Sequence, residues 1–117
     1  MKKIYLITAL GAASLVLTYC SASKKASKKA PPTTYAADVS TVIATNCTPC
    51  HIPSKGGNKK PYDVYANAKS DIDEMIRRIE LNPTDKGFMP FKKTEKLSPE
   101  IVAVFKKWKE DGLMETK

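Results

Sequence analysis

The sequence predicts a small all-α domain with long loops, and three observations predict it. Apolar residues recur at the helical spacing i, i+3, i+4 in three separate stretches. No stretch alternates apolar and polar residues as a half-buried strand would. Gly56-Gly57 and Pro49, Pro53, Pro61 and Pro90 break the connections between the helical stretches. The 117 residues allow one such domain, spanning residues 35–113, and exclude a large catalytic fold.

In the first stretch, Val39, Val42 and Ile43 predict a helix from about Ala36 to Asn46. Thr34 is its candidate cap, and Asp38 lies in the first turn, where a negative charge suits the helix dipole. A short helical turn is expected around Tyr62 to Ala68. Ile72, Met75, Ile76 and Ile79 mark the next helix, with Ser70 or Asp71 as its cap and Asn82-Pro83 as its end. The last helix begins with Ser98 as cap, Pro99 at the first helical position and Glu100 in the first turn. Ile101, Val104, Phe105 and Trp108 form its apolar stripe, and Gly112 suits the position just past its end. Met114 follows that glycine and is expected to fray with the tail, residues 114–117. So few core residues over such loops predict marginal stability unless something else fills the centre.

Ahead of the domain stands an address. Met1-Lys2-Lys3 is a short basic start, followed by an apolar run from Ile4 to Leu17. That run is about 14 residues, enough for the core of a signal peptide and short of the ~20 that a spanning helix needs. Residues 1–20 therefore read as a signal peptide, and the protein as exported to the periplasmic side. Leu17-Thr18-Tyr19-Cys20 resembles a bacterial lipobox, which makes Cys20 a candidate lipidation site and the protein a membrane-anchored lipoprotein. Tyr19 departs from that pattern, because the residue before the cysteine is usually small. The alternative is cleavage after Ala22 or Ser23, with Cys20 discarded. Residues 21–34 repeat Ser-Lys-Lys-Ala and run into Pro31-Pro32, without a large apolar residue before Tyr35. They read as a tether with a coil-like reach on the order of 20 Å. Its lysines suit anionic lipid headgroups, at about 1 kcal/mol each near the surface.

The formal charge of +8 divides unevenly along the chain. Lys2, Lys3, Lys24, Lys25, Lys28 and Lys29 all precede the domain, and residues 30–117 hold 14 basic against 12 acidic side chains. A net charge of this size on a short chain first suggests nucleic acid. Its placement assigns it to export and tethering instead, and no nucleic-acid partner is expected.

Three cysteines and one histidine exclude a self-contained zinc site of four cysteines, or of two cysteines and two histidines. Two of the cysteines and the histidine fall together as Cys47-Thr48-Pro49-Cys50-His51. This is C-x-x-C-H, the signature of covalent haem c attachment, which arises by chance at this composition about once in two thousand sequences. Two thiols three residues apart on a helical turn reach both vinyl groups along one porphyrin edge, and the adjacent imidazole swings beneath the ring to the iron. A covalently held apolar disc would also supply the missing core. Two other chemistries use such a pair. Thiol–disulfide exchange needs a βαβ context, for which no strands are predicted. Zinc would need a further ligand such as Asp63 or Asp85.

With this motif in place, residues 35–113 resemble a class I, mono-haem c-type cytochrome. The likeness extends to Gly87-Phe88-Met89-Pro90, to Leu97-Ser98 and to Trp108 in the last helix. The resemblance implies three main helices and loops around one covalent haem, with thioethers from Cys47 and Cys50. It also implies His51 as proximal iron ligand and Met89 as distal ligand. In the family a proline carbonyl holds the ligand histidine, for which Pro53 and Pro61 are both candidates. Tyr62, Tyr65 and Lys69 are candidates for contacts to the haem propionates. Family members often carry a glycine and an aromatic residue in the first helix where this chain has Val39 and Ile43. A wider or rotated crossing against Phe105 and Trp108 is therefore expected.

The function implied is one-electron transfer between redox proteins at or near a membrane, with no small-molecule substrate and no catalysis required. Lys55, Lys59 and Lys60 follow the motif, and Lys86, Lys92, Lys93 and Lys96 flank Met89. In the family both loops border the haem crevice, so these lysines suit an acidic docking partner. The competing reading is a haem enzyme or gas sensor with an open sixth position, which requires that Met89 does not bind iron. Thiol–disulfide oxidoreduction by the cysteine pair is the remote alternative.

Overall fold

The computed structural model describes residues 29–117. The expected signal peptide, with Tyr19 and Cys20, and the expected tether through residue 28 lie outside that range. The described residues form helices and loops without a strand, as the sequence predicts. No described helix is long and apolar enough to cross a membrane.

Ordered structure begins before Tyr35. The Thr33 N–H donates to Asp111 Oδ2 at 2.7 Å, and Thr34 is buried. Thr34 is the expected cap, and its hydroxyl accepts from the Ala37 N–H at 3.3 Å. Asp38 returns the favour, its carboxylate accepting the Thr34 N–H at 2.8 Å. The Thr34 carbonyl takes two donors, the N–H groups of Asp38 and Val39, and the Ser40 N–H reaches back five residues to Tyr35. The helix thus opens as a wide π-helical segment, Tyr35–Val39, and tightens into α1, Ser40–Asn46. It starts one residue earlier than expected.

A 3₁₀ turn at Pro53–Lys55 follows the cysteine motif. The helical turn expected over 62–68 forms slightly later, as α2, Tyr65–Ser70. It is separated only by Asp71 from α3, Ile72–Glu80. With α4, Pro99–Glu110, the described residues hold four α-helices, the expected short turn having formed as α2 with Asp71 between it and α3. The ends of α4 are as predicted. Ser98 Oγ accepts the Ile101 N–H, Pro99 takes the first position and Gly112 adopts a left-handed φ of 92°. Gly112 N–H bonds back to Lys109 and Leu113 N–H to Trp108, the paired bonds of a Schellman closure.

One core joins these pieces. Val39 and Ile43 pack with Ile72, Met75 and Ile79 of α3 and with Phe105 and Trp108 of α4. Burial of Val39, Ile43 and Trp108 is complete. Met75 is a core residue, as its place on the α3 stripe predicts. Across the rim of the α3–α4 contact, Glu80 pairs with Lys106 and Asp73 with Lys109. These exposed pairs contribute about 0–1 kcal/mol each, so apolar packing holds the two helices together.

The tail does not fray. The Met114 carbonyl accepts the Tyr35 N–H at 2.9 Å and the Trp108 indole N–H at 2.8 Å, and the Glu115 carbonyl accepts the Ala36 N–H at 2.9 Å. Two donors at the open start of the first helix and one buried indole need acceptors, and the residues after Gly112 supply them.

Candidate functional site

Cys47 ends α1, its N–H bonded to the Ile43 carbonyl at 2.8 Å. Its own carbonyl accepts the His51 N–H at 3.0 Å. The five motif residues therefore form one tight turn that follows the helix, with both thiols on it and His51 at its end. Both cysteines are free thiols; Cys47 is partly buried against the core and Cys50 is exposed. Burial pushes the Cys47 thiol up to about 11, so it is protonated at neutral pH. A protonated thiol is a poor nucleophile for exchange.

The turn is braced from outside by the glycine loop. A Cβ on Gly57 would lie 2.2 Å from the Pro49 carbonyl oxygen and 2.6 Å from that of Cys50. Only glycine permits this approach, which brings the Lys59 N–H to the Cys50 carbonyl at 3.0 Å. Gly56-Gly57 thus does more than interrupt helices.

His51 Nδ1 lies 2.8 Å from the carbonyl oxygen of Lys60. Neither expected proline supports the ring. The Pro53 carbonyl closes its own turn with the Gly56 N–H, and the Pro61 carbonyl takes the Asn67 side-chain amide. The carbonyl of Lys60, one residue before Pro61, is the acceptor that faces His51. Since a carbonyl only accepts, the proton of this bond sits on Nδ1, and Nε2 is the ring nitrogen left for another partner. Tyr62 stacks on the imidazole at 4.4 Å between ring centroids, with 12° between the planes.

Met89 reaches the same core from the opposite side of the sequence, in the loop between α3 and α4. Gly87 has a φ of 96°, Phe88 is buried, and the Met89 N–H donates to the Arg78 carbonyl at 3.2 Å. Met89 is thereby fastened to α3 by its backbone while its side chain packs with the core. Arg78 is a residue that sequence reasoning missed. Its guanidinium lies 3.4 Å from where a Gly87 Cβ would stand. Its Nε is buried without a hydrogen bond, 3.5 Å from Glu74 Oε1 but poorly directed toward it. Nothing in the spacing of α3 marks Arg78, since it reads as one more charge on a solvated face.

The remaining candidates divide. The Tyr62 hydroxyl donates to Asp71 Oδ2 at 3.1 Å, and burial, with Asp71 second, pushes this phenol up to about 12. Tyr65 donates to the Leu113 carbonyl at 2.7 Å and packs edge-on against Tyr35 and Trp108. Lys69 donates to the Tyr65 hydroxyl at 3.2 Å. Tyr65 and Lys69 therefore belong to the seam between α2 and the end of α4.

These residues fit a c-type haem. Two free thiols on one turn, an imidazole with its Nδ1 proton engaged and a thioether in the loop between α3 and α4 are the donor types that could hold it. They do not fit zinc: among the described residues no group of three or more His, Cys, Asp or Glu comes together, so neither Asp63 nor Asp85 joins the pair. An open groove of about 410 Å³ between α3 and α4, lined by Ile79, Leu97 and Val102, contains none of the motif residues. No protein-family model, curated protein or solved structure matches the chain.

Proposed function

We propose that the chain is a one-electron carrier, a small c-type cytochrome in which Cys47 and Cys50 would hold one haem covalently and His51 and Met89 would ligate its iron. The observation that carries this reading is the state of His51. Its Nδ1–H is engaged by the Lys60 carbonyl beside two free thiols at the attachment spacing, so the ring offers Nε2 alone. When bound, haem supplies an Fe(III)/Fe(II) couple that imidazole–thioether ligation suits to electron transfer rather than oxygen chemistry. The chain's part is to hold. The turn at 47–51 carries the thiols, the Lys60 carbonyl fixes the imidazole, and the bond from Met89 to Arg78 sets the loop opposite.

Docking would use the two loops around these residues. Lys55, Lys59, Lys86, Lys92 and Lys93 are all exposed and suit an acidic redox partner. Phe91 is 65% exposed beside the Met89 loop, with Lys92 Nζ over its ring at 5.6 Å, and offers such a partner an apolar contact. Lys60 and Lys96 are committed to Asp71 and to the Glu80 carbonyl. Export by residues 1–20 and anchoring through Cys20 and the basic tether belong to the same proposal. They would place the carrier on the periplasmic side of a membrane.

The test is spectroscopic. The mature protein should carry the mass of one covalent haem, lost on Cys47→Ser combined with Cys50→Ser. Its ferric form should show a near-infrared sulfur-to-iron band, lost on Met89→Ala. A high-spin ferric spectrum in the unaltered protein, with ready binding of added ligands, would instead make it a sensor or enzyme with an open sixth position.

A further inference from the structure

Asp71 occupies the capping position of α3, yet its side chain makes no capping bond. A carboxylate there ordinarily accepts one of the first free N–H groups of its helix. Asp71 turns instead toward the segment Lys60–Pro61–Tyr62. Oδ1 accepts from Lys60 Nζ at 2.7 Å and from Ser70 Oγ at 2.9 Å, and Oδ2 accepts from the Tyr62 hydroxyl at 3.1 Å. Lys60 and Tyr62 are the two residues that hold His51, one through its carbonyl on Nδ1 and the other through its ring against the imidazole face.

The segment is pinned along its length. The Pro61 carbonyl accepts from Asn67, the Tyr62 carbonyl from the Tyr35 hydroxyl at 2.7 Å, and the Tyr62 N–H donates to the His51 carbonyl at 3.0 Å. Asp71 is the one group that grips both flanking side chains at once. Its partner Lys60 is 44% exposed, so the ion pair itself adds little to stability. Its effect lies in where it holds the strap.

We propose that Asp71 is a positioning residue for His51, latching the strap of Lys60 and Tyr62 that fixes the imidazole. The inference rests on the reading of His51 as iron ligand and names a residue that tunes that ligand. A firm Nδ1–H bond to a carbonyl makes the imidazole a more basic ligand and favours the ferric state. Loosening the latch weakens that bond.

The experiment uses the full chain with haem attached, and compares it with Asp71→Asn, Lys60→Gln and Tyr62→Phe. In each variant, solvent exchange of the His51 Nδ1 proton, followed by NMR in the ferrous protein, should speed up by about fivefold, the factor for losing one net hydrogen bond. The reduction potential should rise in all three. Asp71→Asn removes a negative charge, Lys60→Gln a positive one and Tyr62→Phe neither, so a purely electrostatic role would move the first two potentials in opposite directions. Opposite shifts, or unchanged proton exchange, overturn the latch. Asp71→Glu, which keeps the carboxylate, should recover part of the slow exchange if the latch is right. Where the unaltered chain carries no covalent haem, the electron-carrier reading fails on its own. The latch is then read from the ¹⁵N-resolved tautomer of His51 in the haem-free chain. The Nδ1–H form should dominate in the unaltered protein and give way in Asp71→Asn, and an unchanged tautomer ratio overturns it.

Discussion

Gly57 stands where two backbones touch. A methyl group at that position would sit 2.2 Å from the Pro49 carbonyl oxygen, so either the glycine loop or the motif turn must move. Gly57→Ala should therefore cost about 1–3 kcal/mol, the range for forcing added volume into a packed contact. Gly56→Ala meets no neighbouring atom but forces a side chain into a φ of 85°, for about 1 kcal/mol. Thermal melts of the two variants should rank Gly57 as the more damaging. At this scale the grouping of Cys47, Cys50 and His51 was legible, because the three stand within five consecutive residues that one turn holds together. The partner of His51 was not. Which carbonyl it meets is set by how the loop after the motif folds back over the ring, and no local signal marks Lys60 for that place.

Among the helices, α4 was read almost residue for residue, since its cap, its first proline, its stripe and its terminal glycine are local signals. Ser98→Ala should cost about 0.5–1 kcal/mol in denaturant unfolding with an unchanged slope, the lower part of the capping range, because its 3.4 Å bond is long. The first helix was placed correctly, but its wide opening was not foreseen. That opening depends on Thr34 accepting two backbone donors while the tail takes the N–H groups of Tyr35 and Ala36. The break between α2 and α3 was legible, since Ser70 or Asp71 was expected to cap the second of them and Asp71 takes that position. What stayed hidden is that the Asp71 carboxylate serves Lys60 and Tyr62 instead of the helix end.

For the molecule as a whole, the two ends of the described chain hold each other. Deleting Met114–Lys117 removes the acceptors of the Tyr35 and Ala36 N–H groups and of the Trp108 indole. It should cost about 3 kcal/mol, roughly one for each bond, where a frayed tail would cost nothing. Acid should loosen the same assembly. Lys107 and the Thr33 N–H hold Asp111 below the usual carboxylate range, and Lys60 does the same for Asp71. Carboxyls depressed in the folded state contribute fully above their unfolded value of about 3.9, and that contribution disappears as pH falls through their lower folded values. The melting temperature should therefore hold near pH 5 and drop below about pH 4, with a shallower drop in Asp111→Asn.

The bonding of Thr33 to Asp111 also decides how the domain takes mechanical load. Tension arriving along Pro31-Pro32 meets Asp111 first, then the paired backbone bonds from Tyr35 and Ala36 to the tail, and so passes into the end of α4. The turn at 47–51 lies beyond that route, behind the whole first helix. A pull on the chain at Pro31 would strain the seam around Trp108 before it disturbed His51.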